Sequence, residues 1–208
     1  MRTILVLSAK GGCGKSTIAT NLASALAVSG RRTGLAEMDR QKSSAGWLAA
    51  RPPTAAPIEG LDWRRERGTP PPGLDRLVID VQAGMRMARI DELLRDVDLV
   101  LVPVVASPFD ESSTTRLMRR LAELKPLRRD RLQLRLVANR VRPRTRAARR
   151  LVEFLSQLGH PVAAALHDRA VYGDLAARGL GIFDVDTPAA RAAREEWSPI
   201  VGTASGAD

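Results

Sequence analysis

Lysine is nearly absent from this strongly basic chain of 208 residues. Of its 33 basic residues only Lys10, Lys15, Lys42 and Lys125 are lysines, and the other 29 are arginines. Cysteine occurs once, as Cys13, which excludes an internal disulfide and a metal site built from cysteines. The only histidines, His160 and His167, sit at no catalytic motif, although His167-Asp168-Arg169 at a strand end could line a pocket or close a turn. Aromatic residues make up 3% of the chain. No apolar run approaches the roughly 18 residues of a membrane-spanning helix. No charged and apolar leader precedes the first apolar run at Ile4. Together these absences predict a cytoplasmic protein that relies on an ordinary apolar core, 44% of the chain being apolar.

Against that background, two of the four lysines fall in one loop, Lys10-Gly11-Gly12-Cys13-Gly14-Lys15-Ser16-Thr17. The apolar run Ile4-Leu5-Val6-Leu7 before it reads as a buried strand. Ser16 to Ser29 after it reads as a helix, with Ile18, Leu22, Ala25 and Leu26 at helical spacing. Strand, glycine loop and helix are the context a phosphate-binding loop requires. Glycines let backbone N–H groups surround phosphate oxygens, and the helix N-terminus adds its positive dipole end. Cys13 occupies the variable place of the loop as a small filler, or as a thiol activated by the helix N-terminus.

Further along, apolar strands alternate with helical patterns, which predicts an α/β fold: one three-layer domain, a mostly parallel twisted sheet with helices on both faces. Strands are expected at Thr33–Met38, Leu77–Asp80, Leu99–Val105, Leu134–Asn139 and Val162–Leu166, and helices at Ser43–Ala50, Ile90–Arg95, Thr145–Leu158, Ala170–Arg178 and Pro188–Trp197. Asp110 is expected to cap a helix running to Leu124. Arg51 to Gly73 holds six prolines and reads as broken, with a short strand near Ile58. The domain is expected over residues 1–200, with 201–208 a disordered tail.

In the loop, Ala9 stands where the usual phosphate-loop pattern has glycine, and Lys10 follows it. This Lys-Gly-Gly-x-Gly-Lys-Ser form resembles the ParA/MinD family of deviant P-loop ATPases, in its short form without an N-terminal helix-turn-helix. The resemblance implies ATP and Mg²⁺ as ligands. It implies that Lys15 holds the β- and γ-phosphates, with Gly11, Gly12, Cys13, Gly14, Ser16 and Thr17 around them. Lys10 would reach across a dimer to the partner's nucleotide, and Ser16 would bind Mg²⁺. Leu77-Val78-Ile79-Asp80, an apolar strand ending in a carboxylate, resembles the Walker B strand whose acid holds the metal. Glu37-Met38-Asp39-Arg40-Gln41 is similar to the family's Asp-x-Asp-Pro-Gln, so Asp39 would orient the attacking water. Glu37 replaces the first Asp and Arg40 the proline, and Gln82 replaces a second proline after Asp80. Asn139 matches the family's adenine reader, and no Asn-Lys-x-Asp motif of the guanine-specific type is present.

Charge is the second signal. Arg116 to Arg150 holds fourteen basic residues against Glu123 and Asp130, a local excess of +12, while the rest of the chain is slightly acidic. Arg142, Arg144, Arg146, Arg149 and Arg150 open and line one helix, suited to gripping a phosphate backbone without reading bases. With few aromatics nearby, non-specific duplex DNA is expected rather than single strands. The family resemblance agrees, implying an ATP-dependent homodimer that binds the nucleoid, works with an activator or cargo-adaptor protein, and positions a plasmid, chromosome locus, protein cluster or organelle. Two alternatives stand beside it. One is a MinD-like membrane or partner-protein ATPase, although no basic amphipathic C-terminal helix offers a stable membrane anchor. The other is a small-molecule enzyme of the amidoligase or dethiobiotin-synthetase type. A reductase of the nitrogenase-iron-protein kind is excluded by the single cysteine.

Overall fold

The apolar runs pair side by side, all in one direction. The computed structural model describes residues 1–124 and 132–206. Strands β1 (Arg2–Val6), β2 (Thr33–Glu37), β3 (Ile58–Asp62), β4 (Arg76–Asp80), β5 (Leu99–Val104), β6 (Gln133–Val141) and β7 (Val162–His167) form one sheet in the order β3-β2-β4-β1-β5-β6-β7. Every pairing is parallel, so the α/β fold expected from the sequence is the one found. Seven helices flank the strands: α1 (Lys15–Val28), α2 (Ser43–Ala49), α3 (Met87–Leu94), α4 (Pro108–Ala122), α5 (Arg146–Gln157), α6 (Val171–Ala176) and α7 (Pro188–Ser205).

The central strands read as unbroken apolar runs because both faces are covered. Along β1, Ile4 and Val6 enter one apolar cluster while Leu5, followed by Leu7 beyond the strand, enters the other. The first cluster joins α1, α2, α6 and α7 to the sheet, and the second joins α3, α4 and α5. Helix α1 is buried along most of its length, since Ala19, Ala23 and Ala27 allow close approach. Trp197 of α7 is fully buried, donating its indole N–H to the Tyr172 hydroxyl at 2.8 Å. At the end of α2, Arg51 forms a buried ion pair with Asp184 at 2.7 Å and stacks on Trp47.

The short strand expected near Ile58 is β3, while other boundaries differ from expectation. Pro57 stops short of the ladder, so β3 forms immediately after it and pairs with β2 from Thr33↔Ile58 to Glu37↔Asp62. Ser107 stands at the N-cap of α4, with Pro108 at the first helical position. Asp110 therefore lies in the first turn, where a carboxylate still favours the dipole but caps nothing. Helix α7 continues through Ser205, where a tail without structure had been expected from residue 201. Its late turn buries Ile200 and Ala204, which hold it to the core. Residues 207 and 208 lie outside the described residues, as do Lys125, Arg128, Arg129 and Arg131 of the basic stretch. Among the described residues no helix is long and apolar enough to cross a membrane.

Candidate nucleotide-binding site

Parallel strands deliver their carboxyl ends to one edge of the sheet, and ligands of open α/β sheets bind there. The register sets Asp80 beside both Val6 and Glu37. The phosphate loop leaves β1 and turns into α1 through Gly14, whose left-handed backbone (φ 89°) favours glycine. A second constraint acts there. A Cβ on Gly14 would come within 2.4 Å of the Asn139 amide. No side chain caps α1, so the N–H groups of its first turn stay available to an anion.

A cavity of about 440 Å³ opens over this turn. Gly11, Gly12, Gly14, Lys15, Ser16 and Thr17 line it from the loop, Asp39, Arg40 and Gln41 from the end of β2, and Gln82, Ala83 and Arg140 from the rest of the edge. The two loop lysines occupy opposite environments. Lys15 is 7% exposed and lines the cavity. Lys10 is exposed on the outside of the loop, its ammonium 5.2 Å from the ring centre of Phe109, itself 74% exposed. Cys13 is buried, its thiol turned to the Lys10 carbonyl at 3.6 Å, as a filler inside the loop would be.

The carboxylates are braced rather than free. Asp80 is fully buried, and its Oδ2 accepts from the Ser44 hydroxyl at 2.6 Å. Burial raises its pKa, against the Ser44 and Ser16 hydroxyls and the Lys15 charge, which lower it. Its Oδ1 has no hydrogen-bond partner among the described residues. A buried carboxylate oxygen without a donor, approached by a loop hydroxyl, fits a hard divalent cation such as Mg²⁺. Glu37 accepts from the backbone N–H groups of Asp39 at 2.8 Å, Ser44 at 2.9 Å and Ala45 at 3.2 Å. It thereby pins the Asp39 loop to the start of α2. Its pKa is raised, first by burial and then by the nearby Asp80 charge, against those three N–H groups. Asp39 is half-buried, and its Oδ1 accepts from the Gln41 N–H at 3.0 Å.

Asn139 lies inside β6, behind the loop, and donates to the Cys13 carbonyl at 2.6 Å. The pairing of β6 with β7 is irregular between Ala138 and Val141, and Arg140 adopts φ 52°, uncommon outside glycine. That irregularity turns Arg140 onto the cavity rim. Sequence reasoning did not single out Arg140, Ser44 or Phe109 for this site. Asn139-Arg140 at a strand end was a visible signal for the first, whereas nothing local marks the other two.

The five arginines expected to grip DNA are all exposed, at and before α5. Thr145 caps that helix by accepting from the Ala148 N–H at 3.1 Å. Arg142 is paired with Asp168 at 2.9 Å, and Arg150 with Glu111 of α4 at 2.7 Å. Arg144, Arg146 and Arg149 make no ion pair among the described residues. His167 faces Glu196 of α7 at 2.8 Å.

The geometry defines a nucleotide-binding domain of the P-loop kind. The chain belongs to the CobQ/CobB/MinD/ParA nucleotide-binding domain family, whose model matches residues 4–182. Over 200 residues it is 29% identical to the maintenance of carboxysome distribution protein A of Halothiobacillus neapolitanus, covering 93% of this chain and 92% of that one. In fold it is similar to a protein of Borrelia burgdorferi assigned to plasmid partition and solved with AMPPNP, with a TM-score of 0.77, 17% identity, and 97% and 99% of the two chains covered. It is similar also to the MinD cell division protein of Aquifex aeolicus, with a TM-score of 0.74, 17% identity and 97% of each chain covered.

Proposed function

We propose that this chain is an ATP-driven switch in a single domain, which dimerises on ATP, binds DNA without sequence preference and positions a cargo. The observation that carries the reading is the contrast between the loop lysines, one buried in the phosphate cavity and one exposed outside it. Lys15 and the N–H groups around Gly11, Gly12, Cys13, Gly14, Ser16 and Thr17 hold the β- and γ-phosphates. Ser16 and Asp80 would hold Mg²⁺, which would supply positive charge to neutralise the phosphates. Asp39 orients the water that attacks the γ-phosphate, and the Glu37 brace keeps its loop in place. Asn139 donates one amide N–H to Cys13 and offers its amide oxygen to the amino group of adenine.

Lys10, outside its own cavity, reaches the nucleotide of a second copy and so couples ATP to dimer formation. The dimer doubles the number of arginines from α5 that meet the DNA backbone, which ties nucleoid association to ATP. Likeness over nearly full length to a carboxysome-distribution protein favours a carboxysome-like assembly as cargo, delivered through an adaptor that stimulates hydrolysis.

Light scattering with ATP, ADP and Mg²⁺, read beside duplex binding across a salt series, tests the switch. With ATP the expected mass is that of a dimer, and log K falls by about 0.9 per phosphate contact for each unit of log salt. Lys10→Ala should keep ATP binding and lose the dimer. A monomer that binds DNA equally with either nucleotide would overturn the reading.

A further inference from the structure

Beside the nucleotide cavity lies a second and larger one, of about 650 Å³. Five cations line it: Arg40 and Lys42 from the β2–α2 loop, Arg64 and Arg65 after β3, and Arg89 from α3. Among the described residues no acidic side chain lines it. Only Arg64 is neutralised, by the Asp62 carboxylate at 2.5 Å, and the other four make no ion pair among the described residues. This concentration is not a by-product of the Arg116–Arg150 stretch, since its five cations come from three separate segments outside it. Like charges gathered around a concavity raise the local concentration of anions.

The inner wall is different in kind. Met38 and Met85, both buried, give the cavity an apolar wall of adaptable side chains. Duplex DNA offers this arrangement little, because a convex phosphate surface meets the cations at the rim and leaves the methionines unused. A peptide strand carrying carboxylates beside an apolar side chain satisfies both. Arginine holds carboxylates in two-pronged pairs, and the volume lies in the ordinary range of ligand cavities, roughly 300–1,000 Å³.

We infer that this cavity docks an acidic, partly apolar segment of a partner protein. Arg40 and Gln82 line both this cavity and the nucleotide cavity, and Arg40 directly follows Asp39. An acidic segment drawing on Arg40 therefore acts on the loop that carries Asp39. Docking needs only the cavity, whereas this second consequence rests on the ATP-switch reading.

The test uses the full chain and a fluorescein-labelled synthetic peptide in which glutamates alternate with leucines, followed by fluorescence anisotropy. A peptide with lysines for glutamates and a labelled duplex serve as controls. The glutamate peptide should bind in a salt-dependent manner, and Arg65→Glu with Arg89→Glu should weaken it about tenfold or more. Glutamine at both positions should give an intermediate loss. The duplex should bind both proteins alike, and the affinity for a fluorescent ATP analogue should stay unchanged. The inference is overturned if the glutamate peptide fails to bind, if the lysine peptide binds as well, if charge reversal leaves its affinity unaltered, or if reversal weakens the duplex instead. Failure of the wild-type chain to bind the ATP analogue would sink the switch reading while leaving the docking result intact.

Discussion

The carboxyl edge of the sheet and the arginine face of α5 both bear charge, yet the chain treats them in opposite ways. At the edge the groups set toward the phosphates and metal are buried or braced: Lys15 lies under the loop, Asp80 against Ser44, and Glu37 against three backbone N–H groups. Before and along α5 the arginines stand in solvent, and among the described residues only Arg142 and Arg150 are tied to carboxylates. Preorganised groups in a low-dielectric site act strongly on one small ligand in one geometry. Long exposed cations act weakly one by one and add up along a polymer, with little demand on position. Substitution should therefore be severe and local at the edge, and graded and additive on the face.

The contrast is most easily broken at Lys15. Lys15→Ala should raise the Kd for ATP by on the order of 100-fold, because it removes a buried cation and its charge-assisted bonds. Calorimetry giving wild-type affinity would show that the edge is not preorganised for phosphate. Asp39→Ala should leave ATP affinity within about threefold while slowing turnover by on the order of 100-fold, the usual range for losing a group that positions a proton or water. Phosphate release under saturating ATP and Mg²⁺ measures it, and an undiminished rate would reduce Asp39 to a loop brace. Arg144, Arg146 and Arg149 changed together to Glu should cut duplex affinity by about tenfold or more and lower the salt slope by about 5.4, three contacts from each protomer of the dimer, with ATP binding unaffected. Replacing them one at a time should divide that loss into similar parts, whereas a single dominant arginine would erase the contrast with the edge. The smallest change sharpens it. Glu111→Gln releases Arg150 from its exposed pair and should raise duplex affinity about twofold, since such pairs are weak. Titration of the labelled duplex would detect this, and a loss instead would mean that the pair positions α5 itself.

Much of this was legible in the sequence because it depends on local pattern. The strand–loop–helix start was readable from Ile4–Leu7, three glycines and the α1 spacing, and the parallel sheet from apolar runs that must be covered on both faces. One error fell where neighbours in space outweighed neighbours in sequence. Ile200 and Ala204 find the core and extend α7 beyond residue 201. The other error was local, since Pro108 at the first helical position makes Ser107, not Asp110, the N-cap of α4.

Sequence alone determined which chemistry is available here: a loop with backbone room for phosphates, two lysines flanking its glycines, strands ending in carboxylates, and a concentration of arginine. These are properties of residue type and short spacing, which the backbone expresses wherever the chain goes. Only the tertiary structure decided how that chemistry is apportioned. Sheet order brings Ser44 to Asp80 and leaves Lys10 beside Phe109 outside the cavity that holds Lys15. It ties two of the arginines and leaves three without an ion pair among the described residues, and it gathers cations from three separate segments around two methionines. Burial and pairing depend on contacts between distant segments, and parallel crossovers fix those contacts only when the whole sheet has formed.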